Sequence, residues 1–458
     1  MAGMASMAGM DKANFFRRVF LASRALREAM TIPGRMLAGL TIFAAAFGVD
    51  PQANLAYLVF SLGISALVVD AGAALLLRRR APRLQAHRFL PEFVTASQAA
   101  PYRIELHNPT ARAHPPLHLS ERLRQAWPTT QMLQAQRGAT VGNRFDQRVG
   151  YPAFIDSLRR LRALDVLPVF VPALLPGQRV VVDLALRPVA RGLAVFEQLY
   201  ALLDGPLGLI QLRQPVAVSE ATLPVLPVRI AVELPPASSR RQLQLGGISL
   251  AQSVGDAEEF RSLRDYRAGD PLRSIHWRSF ARTGRPMVRE MQEEFFSRHA
   301  LVLDCAAPFR FAPGFETAIA MAAWLVARPQ DADSLLDLMF VGDRVHRLTA
   351  GRALGGTDAM LRVLAALEPT PTDSIELLMQ SVQHHAALVS SVVVILLAWD
   401  APRQKAMRVL LASGVQLTVL IVGENSTLTS ESSAEDFRGS LRWISPSFAT
   451  QMRAAAAV

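Results

Sequence analysis

GDAEEFRSLRDYRAGDPLRSIHWRSFARTGRPMVRE, residues 255–290, holds eight arginines and, from Glu258 onward, five carboxylates, with one tyrosine, one tryptophan and almost no aliphatic run. Gly-Asp and Gly-Arg-Pro steps interrupt it, so it is not one continuous helix. A guanidinium is planar and grips a carboxylate through two parallel N–H donors, so a segment of this composition can close on itself through paired charges. It reads first as a structural ion-pair network. A surface for a partner or an anion and a catalytic centre are the alternatives. Asp270, Ser274 and His276 lie too close along the chain to suggest a triad, which is recognised by spatial convergence.

The spacing E-F-x-x-L-R-x-Y-x-x-G-D-x-x-R-x-I-x-W-x-x-x-A-R is carried by Glu259, Phe260, Leu263, Arg264, Tyr266, Gly269, Asp270, Arg273, Ile275, Trp277, Ala281 and Arg282, and is extended by Val288, Arg289 and Glu290. It resembles the signature of the bacterial family called domain of unknown function 58. The residues singled out as a binding or structural signature are Glu259, Arg264, Tyr266, Asp270, Arg273, Trp277, Arg282 and Arg289, with no catalytic residue and no metal ligand assigned.

Outward from this segment, 458 residues give room for two or three domains. A single cysteine, Cys305, excludes an internal disulfide framework and a CxxC metal site. The net charge of +11 is local: residues 1–36 contribute +4 and residues 78–88 contribute +5, which leaves the remainder close to balanced. A broad nucleic-acid footprint is therefore not expected.

The two basic segments flank two apolar stretches, MLAGLTIFAAAFGV (36–49) and ANLAYLVFSLGISALVVDAGAALLL (53–77), separated by the turn signal Asp50-Pro51. A spanning helix needs about 20 apolar residues, which the second stretch supplies and the first reaches only by borrowing residues 31–35. The expectation is a transmembrane hairpin over 36–77 preceded by a basic cytoplasmic arm, 1–35, with both basic flanks inside. A cleaved signal peptide is one competing reading, opposed by the long charged leader and the second apolar segment, and a buried core hairpin of a soluble protein is the other. Asp70 falls within the second stretch and is expected to be protonated or to reach Arg78.

Residues 84–232 are rich in proline and in short alternating runs such as 102–107, 166–171 and 179–186, which predict a β-sandwich-like domain. Pro168 demotes the second run to an edge strand. Residues 124–146 read as a loop or insertion. Arg191-Gly192 and Asp204-Gly205-Pro206-Leu207-Gly208-Leu209 resemble a family turn element, Arg-Gly … Asp-Pro-Phe-Gly-Leu, with Gly205 inserted and Leu207 in place of phenylalanine.

Residues 298–450 alternate continuous apolar strands with helices, the pattern of a parallel-type sheet covered on both faces. Strand-end carboxylates at Asp304 and Asp400 resemble the von Willebrand factor A-like fold, which is also what the family resemblance implies here. Such a domain can hold a divalent cation through Asp-x-Ser-x-Ser, a threonine and an aspartate. In this chain the serine positions are Ala306 and Pro308, and Thr357 and Asp400 are the remaining candidates, so no metal and no cofactor is expected.

The fold class expected is thus α+β multidomain: a transmembrane hairpin, a β-sandwich and a doubly wound α/β domain, with the 255–290 segment between the last two. The family resemblance implies a membrane-anchored scaffold or adaptor at the bacterial inner membrane, multi-pass, with the bulk of the chain cytoplasmic. The partners it implies are MoxR-type AAA+ ATPases, other von Willebrand factor A proteins and the lipid bilayer, in envelope-linked assembly or quality control. The alternative is a hydrolase-like membrane enzyme using Asp265, Asp270, His276 and nearby arginines, and a third reading is a metal-dependent binder using Asp304, Thr357 and Asp400.

Overall fold

The computed structural model describes residues 2–47, 54–136, 149–234, 244–245, 259–267, 269–270, 272–292, 295–310, 312–328, 334–342, 344–351, 356–370, 375–385, 389–423 and 441–445. The chain divides into two units between Val228 and Arg229.

The first unit opens with three helices, α1 (Ala2–Ala29), α2 (Ile32–Phe47) and α3 (Asn54–Arg80). Among the described residues only α3 is long and apolar enough to cross a membrane, over Leu55–Arg80, and α2 is a shorter apolar helix. The Asp50-Pro51 turn signal lies outside the described residues. The residues expected to form a basic arm are helical over most of their length, in α1, and α2 begins four residues before the expected start of the apolar hairpin. Phe16 and Phe20, one turn apart on α1, pack with Trp127, Leu133, Phe154 and Leu158 in a small core of their own.

Two sheets follow. One has the order β1 (Gln85–Phe89), β3 (Ala100–His107), β7 (Arg179–Pro188), β5 (Leu164–Val166). The other has the order β2 (Val94–Thr95), β10 (Ala221–Leu226), β8 (Gly192–Asp204), β4 (Leu117–Leu123), β6 (Val169–Val171), with β9 (Gln211–Val216) also on β8. Inward residues alternate along the strands. On β7, Val182, Leu184 and Leu186 are buried between exposed Val181, Asp183 and Arg187. They share one core with Ile104, Leu119, Phe196 and Leu223, as two facing sheets require. Pro168 separates β5 from β6, which are edge strands of different sheets, so the residue that cannot donate marks where the chain changes sheet. The 124–146 stretch contains helix α4 (Thr130–Gln136), and α5 (Tyr151–Arg160) follows, both supporting α1. Inside the sandwich Arg88 pairs with Glu121 at 2.8 Å, and the Tyr102 hydroxyl donates to the same carboxylate. Burial, with Glu121 beside it, pushes the Tyr102 hydroxyl far above its usual range.

One side chain fastens the helices to the sandwich. Asp70, fully buried on α3, reaches neither solvent nor Arg78 as its principal partner. Its Oδ1 accepts from the Leu207 N–H at 2.7 Å, and its Oδ2 accepts from Leu209 and Ile210 at 2.9 and 2.7 Å. These donors form the turn between β8 and β9. Thr31, just ahead of α2, holds the same turn: its Oγ1 donates to the Gly208 carbonyl at 2.5 Å and its N–H to the Leu209 carbonyl at 3.1 Å. The contacts leave no room for Cβ atoms. One built on Gly205 would overlap the Asp70 carboxylate, and one on Gly34 would overlap the Leu209 carbonyl. The Gly205 that departs from the family turn element is thus what allows Asp70 to approach.

Asp70→Ala is expected to destabilise the full chain on the order of 1–3 kcal/mol for each N–H it strips of its partner, with Asp70→Asn retaining part of the loss. Gly34→Ala should destabilise by driving a methyl group into the Leu209 carbonyl, although it removes no hydrogen-bonding side chain. Thermal melts of the detergent-solubilised protein test both, and a wild-type melting temperature in Gly34→Ala would contradict the close approach.

Candidate functional site

The second unit holds a sheet of order β16 (Val345–Gly351), β15 (Ser334–Val341), β14 (Phe295–Leu303), β17 (Ser391–Leu396), β18 (Gln416–Val422), β19 (Leu441–Ile444), with β11 (Gln244–Leu245) also on β14. The pairings from β15 through β19 are parallel and β16 is antiparallel to β15. Helices α7 (Pro313–Ala327), α8 (Thr357–Ala366), α9 (Ile375–His385) and α10 (Ala401–Ala412) connect the strands. From β14 the chain crosses through α7 to β15 on one side, and from β17 through α10 to β18 on the other. Right-handed crossovers in opposite directions put those helices on opposite faces. The order reverses between β14 and β17, the place where open α/β sheets form a crevice at their strand ends.

Asp304 follows β14 and Asp400 follows β17, so both strand-end carboxylates stand at that point. Between them lies the Arg403 guanidinium. Its Nε donates to Asp304 Oδ2 at 2.9 Å and its Nη1 to Asp400 Oδ2 at 2.6 Å. The Arg403 and Asp304 side chains are only 3% and 4% exposed. Asp304 also accepts the Ala306 N–H at 3.0 Å and the Leu397 N–H at 3.3 Å. Asp400 caps α10 by accepting the Arg403 N–H, with Pro402 in the first turn, so the helix start itself aims the arginine inward.

The residues present do not fit a divalent-cation set. An arginine already supplies the positive charge at Asp304, and Ala306 and Pro308 offer no hydroxyl. Thr357 is at the other end of the sheet. Its neighbour Gly356 lies against Ala350, which pairs with Leu336 near the start of β15, and Leu336 pairs with His299, midway along β14. From His299 to Asp304 is five strand residues, about 16 Å. The threonine that does flank Asp304 is Thr370: its N–H and hydroxyl both donate to the Cys305 carbonyl, at 2.8 and 3.3 Å. Cys305 is buried, with its thiol directed at the Leu303 carbonyl. Arg403 and Thr370 escaped the sequence reading. The Asp-Ala-Pro-Arg spacing signals a capped helix start, but nothing local tells that the arginine reaches a carboxylate 99 positions away.

The charged signature folds as a hairpin, β12 (Glu259–Asp265) antiparallel to β13 (Met287–Gln292), enclosing a 3-10 turn (Leu272–Ser274) and helix α6 (Trp277–Thr283). Arg264 grips Asp270 bidentately, both N–H···O distances being 2.7 Å, and the Arg267 N–H adds a third bond at 2.8 Å. Gly269, at φ +109°, makes the turn that returns Asp270 to Arg264. The pair is not buried: Arg264 is 37% and Asp270 16% exposed. Tyr266 donates its N–H to the Pro286 carbonyl. Trp277 and Phe280 meet edge to face, both exposed along with Leu272 and Arg282, and α6 buries no residue. Glu259 opens β12, Arg273 sits in the 3-10 turn and Arg289 pairs with Leu263, but their side chains are outside the described set. Of the enzyme candidates, Asp270 is held by Arg264, and among the described residues the His276 ring bonds Ser279 Oγ at 2.7 Å and no carboxylate.

Residues 262–425 match the model of the family described as Protein of unknown function DUF58. This match supports the DUF58 family. It takes in the hairpin from β12 onward and the α/β sheet through β18. No curated protein matches the chain. Solved structures similar to parts of it include the CARDB domain of the PF1109 protein from Pyrococcus furiosus, at 14% identity over 31% of this chain and 93% of that one, TM-score 0.17. Escherichia coli alpha-2-macroglobulin is similar at 14% identity over 32% of this chain and 10% of that one, TM-score 0.17. The PapD-like domain 7 of human CEP192 is similar at 12% identity over 30% of this chain and 85% of that one, TM-score 0.17. Similarities this slight carry no argument.

Arg403→Met should destabilise the protein by about 3–5 kcal/mol, because it leaves Asp304 buried without its cation, and Asp304→Asn added to it should recover part of the loss. Denaturant melts of the two single variants and the double give the coupling, and calorimetry with Mg²⁺ should show no saturable heat. The Asp270 carboxyl, held down to about 2 by the Arg264 bond and then by the Arg267 N–H, titrates below its ordinary value. Its folded value is depressed, so its contribution to stability is present above the unfolded value near 4 and is lost as pH falls through about 2. A carbon-13 titration should give that midpoint and shift it upward in Arg264→Ala. An unshifted midpoint would mean that the pair does not form in solution.

Proposed function

We propose that this protein is a membrane-anchored scaffold or adaptor and not an enzyme, with a cytoplasmic α/β platform of the von Willebrand factor A-like type. The observation that carries the reading is the fastening of α3. The helix long and apolar enough to span a bilayer is tied by Asp70, through three backbone N–H groups, to a sandwich with its own core. An anchor held this way transmits force to the sandwich, where a flexible tether would not. The basic end of α3, Arg78–Arg80, supports an orientation with the following chain inside, and α2 completes a two-helix hairpin in this reading.

The adaptor part rests on the strand-end crevice and on α6. Arg403 neutralises the carboxylates at the position where an open ligand site would lie, which leaves the surface around it as the working part. Exposed Trp277 and Arg282 are residue types that dominate binding energy at protein interfaces. The family resemblance supports MoxR-type AAA+ ATPases and other von Willebrand factor A proteins as partners, in envelope-linked assembly or quality control, with the ATPase supplying the energy.

Two measurements test this. Protease added to intact spheroplasts should leave the chain beyond residue 80 uncut, and its degradation down to the anchor would overturn the orientation. Affinity capture from solubilised membranes should enrich an AAA+ ATPase with the wild type and lose at least tenfold of it with Trp277→Ala and Arg282→Ala together, a change of about 1.4 kcal/mol or more. Equal capture by both would remove α6 as the docking surface.

A further inference from the structure

The turn that Asp70 holds has a second property. All its backbone N–H groups are satisfied within the protein. Gly205 donates to the Ile210 carbonyl at 2.8 Å and Gly208 to the Gly205 carbonyl at 2.9 Å, while Leu207, Leu209 and Ile210 donate to Asp70 and Pro206 has no N–H. The turn carries no charged residue from Gly205 to Ile210, yet Leu207 is 55% exposed. An irregular segment enters hydrocarbon more readily the more of its backbone polar groups are met internally, and here every N–H is, together with the carbonyls of Gly205, Gly208, Leu209 and Ile210.

Depth follows from the two helices separately. From Asn54 to Asp70 is 16 residues of α3, about 24 Å at helical rise. From Phe47 back to Ile32 is 15 residues of α2, about 22 Å, and Thr31, next to that end, holds the same turn. Against a hydrocarbon core of about 30 Å, both counts put the turn a few ångströms inside its near boundary. Beyond Asp70 the helix runs uncharged for seven more residues, with Leu75 and Leu76 exposed, before Arg78.

We propose that the β8–β9 turn is a lipid-contacting wedge that seats Leu207 among acyl chains just beneath the headgroups of the near leaflet. The sandwich then touches the bilayer directly and does not stand off on its helices. This rests on the membrane-anchor reading, and the test separates the two. Full-length protein carrying Cys305→Ala is labelled with an environment-sensitive fluorophore at Leu207→Cys, Leu62→Cys or Asp183→Cys and reconstituted into phosphatidylcholine–phosphatidylglycerol vesicles. The Leu207 probe should lose most of its fluorescence to a lipid quencher placed near the headgroup and little to aqueous iodide. The Leu62 probe should respond to a quencher deep in the acyl region, and the Asp183 probe to iodide alone. A Leu207 probe that behaves like Asp183 while Leu62 remains lipid-quenched overturns the wedge and leaves the anchor standing. Iodide quenching of all three overturns the anchor and the wedge together. Leu207 points outward, so the label should leave the melting temperature unchanged, and a lowered value directs the measurement to Leu209→Cys, two residues further along the same turn.

Discussion

A carboxylate buried on an apolar helix needs partners, and Asp70 finds three backbone N–H groups in one turn of another element. Charge-assisted bonds of this kind are stronger than neutral ones and directional, so they fix both the rotation of α3 and the position of the turn. Neighbouring residues conform to that contact. Gly205 lacks the atom that would collide with the carboxylate, Gly34 lacks the one that would collide with the Leu209 carbonyl, and Thr31 binds the carbonyls left over. Gly63 does the same between the helices, where a side chain would overlap the Thr41 hydroxyl. A cluster of small residues around one acid allows α2, α3 and the β8–β9 turn to meet at backbone distance.

The second unit uses the opposite charge in the same manner. Asp304 ends a strand at the point of the sheet where a crevice forms, and Arg403 enters from the start of α10 to answer it. Such a pair contributes little net stability against an apolar alternative, because desolvation offsets most of the attraction. Its consequence is chemical. A permanent guanidinium occupies the place between Asp304 and Asp400 and holds the two strand-end carboxylates in one geometry. The signature hairpin differs again, since its Arg264–Asp270 pair is partly exposed and shapes a loop more than it supports a core. That loop presents Trp277 and Phe280 outward, which gives the segment a role at the surface.

Local chemistry made much of this legible. Period-two alternation identified β7, and continuous apolar runs of the kind expected over 298–450 form β17 and β18. Pro168 pointed to an edge strand over 166–171, and the structure instead splits that run into two edge strands on different sheets. Among the described signature residues Arg264 pairs with Asp270, and the exposure of that pair could not be read from composition, because composition does not tell what covers a residue. Thr357 was misplaced for a related reason: a threonine after a glycine pair looks like a ligand loop, and only the antiparallel return of β16 carries it to the far end of the sheet.

By itself the sequence determined the apolar helix with its basic end, the alternation along strands such as β7, and the loss of hydroxyls after Asp304, since each depends on residues within one or two turns of one another. The tertiary structure alone decided which groups answer Asp70 and Asp304. Asp70 is met 137 to 140 positions later and Asp304 99 positions later. A charge buried by folding takes whatever donor the packing brings to it, and that choice is made by the meeting of distant surfaces, which no local pattern encodes.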